Sequence, residues 1–229
     1  GAAVGASICG MKPIIVHPRM DFMLYAMDSI VNQAAKWSYM FGGKLNAPVT
    51  IRSIINRGGS QGAQHSQALH SWFAHIPGIR VVMPYTVEDA RDLLISSVLC
   101  PDPVIYIDDR WLYEQTANLK PIKEIPLNCI TPKCLKKGDQ ITIVGSGYST
   151  LLALNVSNKL NSGGIDAEVF DLRVLNPFNS KNIFDSVLKT KRLLVIDSGW
   201  KTCGMASEVI TSIVEHIPTN TLLDPPRRI

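Results

Sequence analysis

The sequence predicts an α/β fold with two domains, each a parallel sheet between two layers of helices. Short apolar runs alternate with helical segments in both halves of the chain, which is the order that parallel sheets require. Residues 120–132 interrupt this alternation, because they are rich in proline and lysine and lack periodicity. With 229 residues and 46% apolar content, the chain is long enough for two modest cores. We therefore predict one domain at 1–122 and a second at 133–229.

The first half contains four apolar runs that are predicted as strands, at 13–17, 48–54, 79–83 and 103–107. A small-residue helix ends near residue 11, and further helices are predicted at 22–40, 66–75 and 87–99. Asp21 is expected to cap the second of these helices, and Thr86 with Asp89 forms a capping box before the last.

The second half repeats the alternation, with predicted strands at 140–144, 167–172 and 192–196, and helices at 149–160, 180–188 and 204–216. The segment Gly145–Thr150 stands between a strand and a helix, as a phosphate-binding loop would. It lacks the third glycine of such a loop, so we prefer a simple turn in which Ser149 caps the helix.

Composition excludes several function classes. The net charge is +4, and the basic clusters at 133–137 and 227–228 are not interleaved with aromatic residues, so a nucleic-acid partner is not expected. No apolar run reaches the roughly 18 residues of a membrane span. The five cysteines include no CxxC pair, which argues against zinc and disulfides and favours a reducing compartment.

The clearest chemical signal is the segment 57–67, RGGSQGAQHSQ, which follows the predicted strand 48–54. Three glycines within five residues let a ligand approach the backbone closely. His65 lies in the polar cluster behind them, and imidazole is suited to proton transfer. A structural and a catalytic or substrate-binding histidine are both compatible with this pattern. Phe22 is likewise either a core aromatic or a platform beside a flat heterocycle.

Taken together, these segments resemble the β subunit of the thiamine-diphosphate-dependent 2-oxo acid dehydrogenases, the decarboxylating component of the pyruvate and branched-chain complexes. The resemblance covers essentially the whole chain. It is carried by GAAVGA at 1–6, DSIVNQAAK at 28–36, YMFGG at 39–43, GAQHSQ at 62–67, PGIRVVMP at 77–84, DLRVLNP at 171–177 and SVLKT at 186–190.

The resemblance implies a transketolase-like pyrimidine-binding domain followed by a transketolase C-terminal-type domain. It implies an enzyme subunit that oxidatively decarboxylates a 2-oxo acid through thiamine diphosphate and transfers the acyl group to lipoyl. In the family, a GDG…N motif of the α subunit holds the diphosphate and Mg²⁺. That motif is absent here, where Gly138-Asp139 is followed by Gln140.

The resemblance therefore implies partners. Thiamine diphosphate is expected to be shared with an α subunit that carries the diphosphate site and most of the Mg²⁺ ligands. A second β subunit would complete an α2β2 assembly, and a lipoyl-bearing acyltransferase would accept the acyl group. Neither a membrane nor a nucleic acid is expected as a partner. The cytoplasm is the expected compartment, with the mitochondrial matrix as the alternative.

The resemblance also assigns roles to individual residues. Phe22 matches the cofactor-binding aromatic beside the aminopyrimidine ring, and His65 matches the catalytic histidine of the HSQ motif. The glutamate that activates the cofactor would precede Gly1, and we expect the chain to be truncated at both ends. No metal-binding side chain is expected. Some family members bind potassium through main-chain groups, which here would lie near Val49, Ser97, Val98, Cys100 and Asp102.

The sequence departs from the family near the expected pyrimidine pocket. Residues 16–19, Val-His-Pro-Arg, stand where the family commonly has an acidic residue followed by apolar ones, and Tyr25 replaces a smaller polar residue. His17 and Arg19 would suit an acidic or phosphorylated substrate. Two alternatives to the dehydrogenase therefore stay open, namely half of a split transketolase-like carboligase and a non-catalytic assembly subunit of the same fold.

Overall fold

The protein, described over residues 1–229 by a computed structural model, contains two five-stranded sheets. The strands are β1 (Ile14–His17), β2 (Thr50–Ile55), β3 (Arg80–Met83), β4 (Val104–Asp109), β5 (Lys133–Lys136), β6 (Ile141–Gly145), β7 (Ala167–Asp171), β8 (Arg173–Asn176), β9 (Leu193–Val195) and β10 (Arg227–Arg228). The α-helices are α1 (Ala2–Ile8), α2 (Ala35–Met40), α3 (His70–Ala74), α4 (Val87–Leu99), α5 (Tyr148–Ser162), α6 (Lys181–Thr190) and α7 (Met205–Val214).

The first sheet has the strand order β1-β2-β4-β3-β8. The pairs β1/β2, β2/β4 and β3/β4 are all parallel, and Thr50 is in register with both Ile14 and Val104. Parallel strands end at a common edge, so the segments that follow β1, β2 and β4 start from the same side of the sheet. This topology confirms the prediction of a parallel sheet in the first half of the chain.

The segment 22–40, predicted as one helix, is divided into three parts. A 3₁₀ segment spans Met20–Ala26, π-helical turns span Asp28–Ala34, and α2 follows. Three residues per turn place residues i and i+3 on one side, and Met20 and Met23 are accordingly both fully buried. Asp21 does not cap a helix, because its carboxylate accepts hydrogen bonds from Gln67 instead.

The helix predicted at 66–75 is also shorter than expected. Residues Ala63–His65 form a separate 3₁₀ turn, and α3 starts only at His70. The backbone amides of Gln67 and Leu69 donate to Asp21 Oδ1 and Met20 Sδ rather than to helical carbonyls. Tertiary partners thus occupy the donors that a longer helix would need.

The second sheet has the order β10-β9-β6-β7-β5 and is not wholly parallel. Its edge strand β5 runs antiparallel to β7, whereas β6 is parallel to β7 and β9. The prediction of a purely parallel second sheet is therefore corrected. Strand β5 was not predicted from the sequence, because KCLK carries too few apolar residues to indicate a strand.

The structure divides into two compact units, each with its own core. One comprises Gly1–Ile130 and Val174–Pro177, and the other comprises Thr131–Arg173 and Phe178–Ile229. These differ from the predicted ranges 1–122 and 133–229, because Leu127, Ile130 and Val174 pack into the core of the first unit. None of the helices has the combination of length and hydropathy that a membrane span requires.

The sequence predicted that Ser149 caps α5, but the structure shows that it does not. The capping position is Gly147, with φ of 52°, and Ser149 is buried within the first turn. A Cβ atom on Gly145 would lie 2.8 Å from the backbone of that turn, so the glycine pattern here serves close strand-to-helix packing. Thr150 donates to Asp171 Oδ1 at 3.0 Å, which ties α5 to the end of β7.

Candidate functional site

The glycine segment forms a tight loop at the carboxyl end of β2. Gly62 has a φ of 81°, a left-handed conformation that favours glycine, and its carbonyl accepts from the amide of His65 and from Ser66 Oγ. The resulting 3₁₀ turn, Ala63–His65, holds the imidazole half-buried at the edge of the sheet. The loop therefore presents the imidazole of His65 at the position where parallel sheets commonly bind ligands.

The structure brings together the two site residues that the sequence predicts. The rings of Phe22 and His65 lie with their centroids 5.1 Å apart and their planes at 79°, an edge-to-face pair. Phe22 is 44% exposed, so it is not a core aromatic. The pair combines an accessible apolar ring face with a proton-carrying ring, although it belongs to segments that are 43 residues apart in the sequence.

A buried carboxylate joins these two segments. Asp21 Oδ1 accepts from the amide of Gln67 at 3.1 Å and from Gln67 Nε2 at 2.9 Å. Asp21 precedes Phe22 directly, and Gln67 follows His65 by two residues, so this contact sets the distance between the two rings. This role of Asp21 could not be predicted from the sequence, because an acidic residue beside an apolar run is equally compatible with a helix cap and with a tertiary contact.

A second polar contact holds the tip of the loop. Gln61 Oε1 accepts from Arg19 Nη2 at 2.7 Å, from Arg19 Nε at 3.3 Å and from Asn56 Nδ2 at 3.1 Å. Gln61 and Asn56 were not singled out from the sequence, because amide side chains are common in loops. His17, at the end of β1, is half-buried, and burial lowers its pKa, so the imidazole is neutral at pH 7.

The segment after β4 supports the loop from another direction. Trp111 Nε1 donates to the carbonyl of Arg57 at 2.5 Å, and Arg52 Nε lies 2.5 Å from Asp108 Oδ2. Burial raises the pKa of Asp108, and the charge of Arg52 acts in the opposite direction without cancelling the effect. Arg52 also donates to the Tyr113 hydroxyl at 3.2 Å. These contacts form a scaffold beside the loop. The sequence did not indicate this role for Arg52, Asp108 or Trp111.

The structure bears on the metal expectations in two ways. No three His, Cys, Asp or Glu side chains are grouped so that they could hold a metal ion. The main-chain carbonyls of Val98 and Leu99, close to the region where the resemblance places potassium, accept from Lys12 Nζ at 3.2 and 3.3 Å. An ammonium group therefore contacts two of the carbonyl oxygens in that region.

Comparison with known proteins agrees with the two-part architecture. The sequence profile of the transketolase pyrimidine binding domain matches residues 1–115, and that of the transketolase C-terminal domain matches residues 132–229. Among solved structures, one titled "Split gene transketolase, inactive beta4 tetramer" superposes with a TM-score of 0.79 at 23% identity. The alignment covers 100% of this chain and 70% of that one, and it supports the fold alone.

Curated relatives are closer in sequence. The chain is 35% identical over 217 residues to the pyruvate dehydrogenase E1 component subunit beta of Rickettsia conorii, covering 94% of this chain and 66% of that subunit. It is 38% identical over 217 residues to the subunit beta of an acetoin:2,6-dichlorophenolindophenol oxidoreductase of Cupriavidus necator, covering 94% of this chain and 64% of that subunit.

A third relative is the pyruvate dehydrogenase E1 component subunit beta of Rhizobium meliloti, 34% identical over 94% of this chain but only 47% of that subunit. The chain thus spans about half to two thirds of the length of these relatives. Because the pyrimidine-binding profile covers half of the chain and the C-terminal profile most of the remainder, the chain belongs to the transketolase family, with a pyrimidine-binding domain followed by a C-terminal domain.

Proposed function

We propose that this chain is the β subunit of a thiamine-diphosphate-dependent 2-oxo acid dehydrogenase of the pyruvate dehydrogenase type. The reaction is oxidative decarboxylation of a 2-oxo acid with transfer of the acyl group to lipoyl. The observation that carries the proposal is the pairing of an exposed Phe22 with His65 at the carboxyl edge of the first sheet. The names of the relatives, pyruvate dehydrogenase and acetoin oxidoreductase β subunits, support the same reaction class.

The residues present fit one end of thiamine diphosphate. The accessible face of Phe22 suits a flat aminopyrimidine ring, and the polar loop around it supplies hydrogen-bonding groups. The chain has no group of metal-binding side chains for Mg²⁺ and no GDG…N motif. We therefore propose that the cofactor is shared, with the diphosphate and Mg²⁺ held mainly by the partner. When bound, its thiazolium ring supplies the electron sink for decarboxylation.

The residues of this chain have distinct roles in the proposed reaction. Phe22 orients the pyrimidine ring and excludes water from one of its faces. His65 contacts Phe22 through its ring, and neither imidazole nitrogen is held by another residue of the chain. A ring nitrogen of His65 is thus free to donate to an oxygen of the 2-oxo acid and to move a proton during transfer to lipoyl. Asp21 keeps both groups in place.

The proposed function requires partners. These are an α subunit with the diphosphate site, a second β subunit and a lipoyl-bearing acyltransferase. All five cysteines are free thiols, which suits a reducing compartment, either a bacterial cytoplasm or the mitochondrial matrix. Native purification of the full-length protein, with mass spectrometry of what co-purifies, tests this part. Absence of a partner with a GDG…N motif would favour the assembly-subunit alternative.

The catalytic proposal is tested by His65→Ala in the reconstituted complex. Loss of a general acid or base typically costs 10²- to 10⁴-fold, so we expect acyl transfer to fall by roughly 100-fold or more. The assembly should persist on size-exclusion chromatography. His75→Ala is the matched control, since His75 is exposed at the end of α3 and should leave the rate within about twofold. A fully active His65→Ala complex would refute the assigned role.

The carboligase alternative draws on a specific observation, the basic residue that follows β1. Arg19 stands within the candidate site and would suit an acceptor with an anionic group. Product formed from an aldehyde acceptor without any lipoyl-bearing protein would favour this reaction over the dehydrogenase.

A further inference from the structure

Arg19 is held only by neutral acceptors. Its Nε and Nη2 atoms donate to Gln61 Oε1, at 3.3 and 2.7 Å, and its Nη1 donates to the carbonyl of Pro18 at 2.6 Å. A glutamate at position 61 could accept the same bonds and would neutralise the guanidinium, yet the chain has the uncharged amide. The positive charge of Arg19 is therefore fixed in place without a compensating carboxylate.

This charge lies beside the ring pair. The amide of Phe22 donates to the carbonyl of Arg19 at 3.3 Å, so the two residues share one turn. Gln61, which holds the guanidinium, is four residues before His65 in the same loop. Three of the five N–H groups of Arg19 are engaged, and one on Nη1 and one on Nη2 remain for another acceptor. A carboxylate or a phosphate is the usual ligand of such a pair.

The neighbouring titratable groups do not change this charge balance. The buried carboxylate of Asp21 receives both of its described bonds from Gln67 and none from Arg19. His17 is neutral at pH 7, because burial lowers its pKa, and so it contributes a hydrogen-bonding group but no charge. Within residues 18–26, the segment that follows β1 directly, Arg19 is thus the one cationic side chain.

We propose that Arg19 is a specificity-determining residue that binds a second anionic group of the substrate, a carboxylate or phosphate remote from the reacting carbonyl. This inference rests on the proposed function, because it places that group in the same site as the 2-oxo acid. It predicts that a doubly anionic substrate or acceptor is preferred to its singly charged or neutral counterpart.

The experiment compares kcat/KM within two substrate pairs in the reconstituted complex. The first pair is 2-oxoglutarate against pyruvate, and the second is glyceraldehyde 3-phosphate against glyceraldehyde as acceptors. They distinguish a carboxylate from a phosphate. Arg19→Gln removes the positive charge. Gln61→Glu keeps an acceptor for the guanidinium but neutralises the charge of Arg19. Gln61→Ala removes the anchor and retains the charge. Lys44→Gln removes a charge from an exposed loop before β2 and serves as control.

We expect the wild-type complex to prefer, in one of the two pairs, the member that carries the additional anionic group. Arg19→Gln and Gln61→Glu should each reduce that preference by roughly 10- to 100-fold, as loss of a charged hydrogen bond would. Gln61→Ala keeps the charge but loses its anchor, so it should lower the preference less than Gln61→Glu does. Lys44→Gln should keep the ratio within about threefold. If Arg19 has only a structural role, the reverse is expected: Gln61→Glu should leave kcat/KM unchanged, and Gln61→Ala should lower it. That result, or a wild-type complex without preference in either pair, would overturn the inference.

Failure of the proposed function is distinguishable from failure of this inference. If no substrate is turned over by the cofactor-loaded complex, the proposed function fails. Titration with inorganic phosphate, followed calorimetrically, then tests Arg19 on its own. Phosphate binding that Arg19→Gln weakens at least tenfold supports the anion site, and equal binding to both proteins refutes it.

Discussion

The contact between Asp21 and Gln67 is the feature of the site that can be tested most directly. Asp21→Ala removes the acceptor of two hydrogen bonds, one from the Gln67 amide and one from its Nε2 atom. A hydrogen bond to a charged group contributes about 1.5–3 kcal/mol. Because the two bonds share one acceptor, we expect local destabilisation of about 2–4 kcal/mol. Asp21→Asn keeps an acceptor and should cost only about 1 kcal/mol.

Hydrogen exchange measures this contact at the amide that makes it. Protection of the Gln67 amide should fall by roughly 30- to 700-fold in Asp21→Ala, since 1.4 kcal/mol corresponds to a factor of about ten. Asp28→Ala is the control, because Asp28 lies in the same segment but accepts only from Asn32 among the described bonds. Peptides from β3 should exchange as in the wild type. Unchanged protection at Gln67 would refute the assignment of Asp21 as the tie between the two segments.

The remaining predictions concern cofactor binding and the two cores. Phe22→Ala should weaken the binding of thiamine diphosphate to the complex by about tenfold, as measured by calorimetry. A change in affinity below twofold would contradict contact between Phe22 and the aminopyrimidine ring of the cofactor. Glu168→Gln should destabilise the second unit by about 1–2 kcal/mol at pH 7 in urea unfolding. Burial acts to raise the pKa of Glu168, but its hydrogen bonds from Lys189, 2.8 Å away, and from Ser186 outweigh this and lower it. The stabilisation is therefore present above about pH 4.3 and lost as the pH falls further, so the variant should approach the wild type at acidic pH. Gly78→Ala should cost more than about 2 kcal/mol, because a Cβ atom would lie 2.0 Å from the Ala35 carbonyl oxygen at a φ of 92°, and an unchanged melting temperature would contradict this.

The alternation of apolar runs and turns was sufficient to predict most of the fold. The strands β1 to β4 and the helix α4, with Thr86 as its cap, lie within two residues of their predicted bounds. Fully buried parallel strands are continuous apolar runs, and this signal is local. Strand β5 was missed, because an edge strand with two lysines has little apolar content. The assignment of β8 to the first sheet was missed for a different reason, since pairing between distant strands leaves no local pattern.

The fold class, the family resemblance and the two candidate site residues, Phe22 and His65, could all be predicted from the amino-acid sequence. These depend on local patterns and on motif composition, which are readable along the chain. Three further features became visible only in the folded chain: the two rings are in contact, Asp21 joins their segments through Gln67, and Arg19 is held by an uncharged amide. Each of these contacts joins residues more than 40 positions apart. The order of the strands determines which segments meet at one edge of the sheet, and tertiary packing rather than local sequence sets that order.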